Sequence, residues 1–89
     1  MSSIENAKDM EQRIHNGCKA EKFERMIIIQ NDFIAGAMKE NKKSVVWIFS
    51  DKEYYHNDLE KGWFEEFEAK ARKLYEEKGY KTKGIVITW

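Results

Sequence analysis

Residues 44–49 read Ser-Val-Val-Trp-Ile-Phe, and this run constrains the fold more than any other stretch. It is β-branched and aromatic with apolar residues at both parities, the pattern of a strand covered on both faces. A second run of strand formers, residues 80–89, closes with Ile-Val-Ile-Thr-Trp. Between the two lies a stripe at helical spacing, Leu59, Trp63, Phe67, Ala71 and Leu74, with Gly79 in the position beyond a helix end that glycine favours. Either one helix spans 51–78, or a short turn started by the capping box Ser50–Glu53 precedes a helix started at Asn57. A strand, a helix and a strand in succession normally form a right-handed parallel unit.

Upstream, Ser2–Glu5 has the form of a capping box, and Ile4, Ala7, Met10 and Ile14 follow at helical spacing, which predicts a helix over 3–15. Asn16-Gly17 reads as a break. A second helix is expected over 19–40, with Phe23, Met26, Ile27, Phe33, Ile34 and Met38 on an apolar arc broader than a single helix contact needs. The expected fold class is therefore α+β in the order α-α-β-α-β, one domain over 1–89, with the helices leading a β-α-β unit over 44–89.

Two strands make a poor sheet, and a long apolar edge invites uncontrolled pairing. A chain of 89 residues also buries only a modest share of its surface. Its one cysteine, Cys18, allows no internal disulfide, and with His15 and His56 it forms no standard zinc site. Oligomerisation is the remaining aid. The sheet is expected to be completed by a second copy, with Ile85, Ile87 and Trp89 at the interface. No cofactor and no metal are expected.

Sixteen basic residues balance sixteen acidic ones, which argues against a general polyanion binder. The longest apolar runs, residues 26–29 and 45–49, are far short of a membrane span, and the N-terminus shows no signal peptide. The expectation is a soluble cytoplasmic protein with no membrane partner.

His15 stands three residues before Cys18, but no signature of a cysteine enzyme surrounds the pair, and a histidine near a helix end is favoured by the dipole alone. Glu65-Glu66 and Glu76-Glu77 interleave with Lys70, Arg72 and Lys73 and read as a solvated helix face. No phosphate loop, nucleophile elbow or metalloprotease motif is present, so no catalytic residue is assigned. Tyr54, Tyr55 and His56 follow the Trp47 strand at the end where ligands of parallel sheets bind, and tyrosine and tryptophan are frequent interface anchors. Trp47, Tyr54, Tyr55 and His56 are the candidate partner-binding residues, against the alternative that they pack and shield the sheet. Lys42, Lys43, Lys81 and Lys83 fall at one end of the sheet if the strands are parallel, a rim for phosphates or simply edge protection.

From about Phe33 to Trp89 the chain resembles small accessory proteins encoded by bacteriophages and prophages. The likeness is carried by the lysine-rich turn, the SVVWIF strand, the glycine-tyrosine after the helix in EEKGYKTK, and the closing IVITW. It implies no catalytic residues. It implies a protein that binds a host protein or sequesters a small molecule, as a homo-oligomer. The expected function is thus a non-enzymatic protein-binding module acting on a host protein; the alternative is a nucleic-acid or nucleotide binder using the lysine rim.

Overall fold

The computed structural model describes residues 7–89, and the side chains of all of these but 9–16. The protein is α+β: helix α1 (Ala7–Lys39), strand β1 (Ser44–Val46), two 3-10 turns (Ile48–Ser50 and Lys52–Tyr54), helix α2 (Asp58–Glu77), and strands β2 (Lys81–Lys83) and β3 (Val86–Thr88). No helix among the described residues is long and apolar enough to cross a membrane. The predicted capping box at Ser2–Glu5 lies outside the described residues.

The two expected N-terminal helices are one. Helix α1 runs through Asn16-Gly17 without interruption. A glycine inside a helix costs only about 1 kcal/mol, and good helix formers on both sides absorb it. The helix ends as the sequence indicates: Asn41 takes a left-handed conformation (φ 61°), and the Lys42 N–H donates to the Ala37 carbonyl at 2.9 Å. Helix α2 ends in the same way on Gly79 (φ 94°), with the Tyr80 N–H donating to the Tyr75 carbonyl at 3.1 Å.

The last expected strand is a hairpin. Gly84 (φ 58°) turns the chain back, so that Lys83 pairs with Val86 and Thr82 with Ile87. A two-residue loop with glycine first fits the right-handed twist of its strands. Strand β3 then enters between β2 and β1, antiparallel to both, in the order β1-β3-β2. The parallel β-α-β unit is therefore split: β1 and β2 point the same way but do not touch. The sheet acquires its third strand from its own chain, not from a second copy. Strand β1 is also shorter than expected, because the chain leaves the ladder at Trp47 and coils into a 3-10 turn.

The row Val45–Ile87–Thr82 faces the helices, and the row Val46–Val86–Lys83 faces away. Trp47, Ile48, Phe49 and Ile87 are fully buried beneath Met26 of α1 and Phe67 and Ala71 of α2. Phe23 bridges the layers, its ring 5.6 Å from Phe49 and 5.2 Å from Phe67. The helices run in the same direction, since Phe23 meets Phe67 and, further along, Asn31 meets Tyr75.

Tyr75 gives the core a pH limit. Its hydroxyl donates to Asn31 Oδ1 at 2.7 Å, and burial, with Tyr80 nearby as a lesser cause, pushes its pKa up from 10 to about 12. In the unfolded chain the phenol loses its proton near 10, whereas the folded protein holds it to about 12, so the unfolded state binds fewer protons across that interval. Stability is complete below pH 10 and falls as the pH rises toward 12. Tyr55, whose buried hydroxyl is raised in the same direction, adds to the loss. Urea titrations are expected to give an unfolding free energy that is level below pH 10 and declines above it, by about 2–3 kcal/mol for Tyr75. In Tyr75→Phe the decline should be shallower; an unchanged slope would place the titrating group elsewhere.

Candidate functional site

Two turns and one helix build the cleft that holds the surface-exposed members of the predicted aromatic cluster. After the first 3-10 turn, Asp51 accepts a hydrogen bond from the Glu53 N–H at 3.0 Å and starts the second. That turn separates neighbours: Tyr54 remains half-buried at the surface, while Tyr55 is driven inward to 2% exposure. Asn57 then caps α2, its Oδ1 accepting from the Glu60 N–H at 2.8 Å, and Glu60 Oε2 accepts from the His56 N–H at 2.7 Å. These reciprocal caps hold His56 outward at the rim.

Helix α1 forms the facing wall. The space between them is a cleft of about 520 Å³ with Met26 and Ile29 as its floor. Lys22 and Arg25 line one side, Asp51, Glu53 and Glu60 the other, with Tyr54 and His56 at the mouth. Lys22 Nζ is 3.9 Å from Glu60 Oε1, so the two walls already touch through one weak ion pair. An apolar floor between walls of opposite charge suits a peptide segment that carries both signs. It does not suit a polyanion.

The four predicted contact residues thus divide. Trp47 and Tyr55 belong to the core: Trp47 is fully buried against Phe49 and Tyr75, and Tyr55 packs on Phe64 at 5.2 Å and donates its hydroxyl to the Phe49 carbonyl at 3.3 Å. Trp47 reaches no surface, and Tyr55, 2% exposed, shows only an edge, in a separate cleft with Lys52, Phe64 and Glu65. Tyr54 and His56 line the cleft against α1. Nothing in the sequence pattern singles out Lys22 and Arg25; only the packing of α1 across the turns makes them a wall.

No protein-family model, no curated protein and no solved structure matches the chain. The site is therefore read from its own geometry. Among the described residues no group of three or more histidines, cysteines and carboxylates is placed to hold a metal ion. Cys18 is exposed, and the His15 side chain lies outside the described residues.

The lysines are brought together in part. Ser44 and Lys81 both pair with Thr88, so β1 and β2 start at the same end, where Lys42, Lys43 and Lys81 collect. Lys83 is two residues along, at the hairpin end. Both helices finish at the strand-start end with Lys39 and Lys78, where cations offset the helix dipoles. Lys42 is 2.9 Å from Glu40, whose carboxyl it holds below its usual range.

The predicted interface residues also find places within one chain. Ile87 is fully buried in the core. Trp89 is half-buried against Tyr80, at 6.2 Å between rings, and its backbone N–H donates to the Lys43 carbonyl at 3.2 Å. Ile85, in the hairpin turn, stays 63% exposed. The ordering of Trp89 is thus explained by contacts inside the protomer.

Proposed function

We propose that this chain is a non-enzymatic protein-binding module that captures a segment of another protein in the cleft between α1 and the 3-10 turns. The observation that carries the reading is the cleft itself, an apolar floor of Met26 and Ile29 between a basic and an acidic wall, with Tyr54 and His56 at its mouth. Such a site recognises an extended or helical segment by one apolar side chain flanked by charges of both signs. The resemblance to phage accessory proteins points to a host protein as the source of that segment, met in the cytoplasm by a homo-oligomer.

A second reading has its own support: Lys42, Lys43 and Lys81 at one end of the sheet beside Trp89 offer phosphate contacts and an aromatic ring. One experiment separates the two. Immobilised protein is used to capture partners from a bacterial lysate, in parallel with Tyr54→Ala/His56→Ala and with Lys42→Glu/Lys81→Glu. The cleft reading expects retention to drop more than about tenfold in the first variant, since a tyrosine anchor is a frequent hot spot, with thermal unfolding nearly unchanged. Retention lost only in the lysine variant, and falling steeply with salt, would hand the function to the lysine end. Retention equal in all three would remove both readings.

A further inference from the structure

Helix α1 has a third face that neither the core nor the cleft uses. The core takes Phe23, Met26, Gln30, Ile34 and Ala37, and the cleft takes Lys22, Arg25 and Ile29. What remains is a stripe at alternating spacings of four and three, Glu24, Ile28, Asn31, Ala35 and Met38, the period of a helix pair. All five are exposed, Ile28 to 61% and Met38 to 44%. Ile27 and Leu74 adjoin the stripe across a groove of about 480 Å³ between α1 and α2, and Leu74 is itself 43% exposed. Isolated apolar residues on a surface mean little, but Ile28, Ala35 and Met38, with Ile27 and Leu74 beside them, form one apolar patch along α1, a surface made to be covered.

We infer that a second copy of this chain covers it, with the two α1 helices antiparallel about a twofold axis near Asn31 and Asp32. Charge fixes both occupant and direction. The stripe begins at Glu24, with Glu21 one turn before it, and runs out at Lys39, with Lys42 just beyond. A parallel pair sets Glu24 against Glu24 and Lys39 against Lys39. An antiparallel pair centred between 31 and 32 sets Glu24 of one copy against Lys39 of the other and Ile28 against Ala35, large against small, while Met38 falls opposite Arg25 at the edge of the contact. Asn31 Oδ1 is engaged by the Tyr75 hydroxyl, which leaves its amide hydrogens to donate across the axis to Asp32 of the second copy. The pairing is isologous and closed, and Ile27 and Leu74 of both copies thicken its apolar centre. Arg25 borders the contact, while Lys22 and Ile29 lie on another side of α1, so the cleft stays accessible. The sheet takes no part.

The test is sedimentation equilibrium over a wide concentration range, with cysteine cross-linking in a Cys18→Ser background. The wild type should sediment as a concentration-dependent dimer. Ile28→Glu should weaken the dimer at least roughly thirtyfold, the factor of a hot-spot residue, with the helical circular dichroism retained because Ile28 is exposed in the protomer. Glu24→Lys should weaken it by a smaller factor, and Glu24→Lys/Lys39→Glu should restore it. Ile28→Cys/Ala35→Cys should form an intermolecular disulfide on mild oxidation; the two cysteines of one chain are about 10 Å apart along the helix, beyond the roughly 7 Å a disulfide spans. A monomer at every concentration overturns the inference, as does a dimer indifferent to Ile28→Glu. Faster cross-linking of Ile28→Cys alone than of the double variant overturns the antiparallel arrangement. The capture assay on Ile28→Glu is independent, so failure of the pairing leaves the cleft reading untouched.

Discussion

Replacing Gln30 by leucine is expected to lower the unfolding free energy by about 2–5 kcal/mol, although leucine is apolar and the site is fully buried. Gln30 is the only buried polar side chain in the core of the described residues. Its Nε2 donates to the Val46 carbonyl at 3.0 Å and its Oε1 accepts from the Ile48 N–H at 2.9 Å. The side-chain amide thereby stands in for a neighbouring strand at the point where β1 leaves the ladder, while on the opposite side the Trp47 N–H donates to the Ile85 carbonyl at 2.7 Å. Leucine fills the space and strands both backbone groups, each at roughly 1–3 kcal/mol. Against a total of about 5–15 kcal/mol for a domain of this kind, the loss is a large fraction.

Gln30→Glu sharpens the test. The ionised carboxylate accepts from Ile48 but cannot donate to Val46, and its charge is buried. The protonated acid can do both. Burial raises the folded pKa of that carboxyl above its unfolded value, so its stability is present below the unfolded pKa and is lost as the pH rises through the folded one. Urea titrations should therefore find Gln30→Glu closest to wild type at low pH and weakest near neutrality, with Gln30→Leu equally weak throughout. A leucine variant as stable as wild type would mean that the two backbone groups do not depend on this amide.

Gln30 also marks where the sequence ceased to be legible. The apolar spacing of α1 located the helix and its buried face, and the expected ends at 40 and, with Gly79 beyond it, at 78 lie within a residue of those observed. Local chemistry decides such features, so local sequence reports them. Gln30 was indistinguishable from a solvent-facing glutamine, because its role is set by a backbone sixteen and eighteen positions away. The hairpin was missed for a different reason. Lys83-Gly84-Ile85 continues the alternation of a strand, and the glycine was read as a residue within it; a Gly-x pair between two short runs of strand formers was the available signal. That single misreading produced the parallel sheet and the missing third strand, and with them the expectation that a second copy completes the sheet.

The broad apolar arc of α1 was the more informative clue. An arc that broad predicts a helix covered on more than one side. The helix lies on one side of the sheet, so the arc exceeds what the core covers, and the surplus falls on Phe33 and Met38. The candidate site was half legible for a related reason. Tyr54 to His56 stood out as an aromatic cluster, but which ring faces water depends on a 3-10 turn whose phase no periodicity encodes.

That division of the aromatic cluster predicts the largest contrast among single substitutions. Trp47→Ala is expected to cost about 3–5 kcal/mol, the range for deleting a buried aromatic, and to leave the protein near its unfolding threshold. The indole packs at 5.0 Å from the Phe49 ring and edge-on at 5.4 Å from Tyr75, in the part of the core that Gln30 and β3 clasp from either side. Trp47 Nε1 is buried without a hydrogen-bond partner among the described residues. Phenylalanine keeps much of the ring and removes that orphaned donor, whose burial itself costs roughly 1–3 kcal/mol, so Trp47→Phe should lie within about 1.5 kcal/mol of wild type despite the smaller volume. Tyr54→Ala, at a half-buried rim position, should shift the urea midpoint little. Partner capture then follows opposite rules at the two sites: it survives Trp47→Phe in full, and it falls in Tyr54→Ala/His56→Ala while the fold stands. Were Trp47→Ala to keep wild-type stability and lose only capture, the tryptophan would be a contact residue and its place in the core would have to be abandoned.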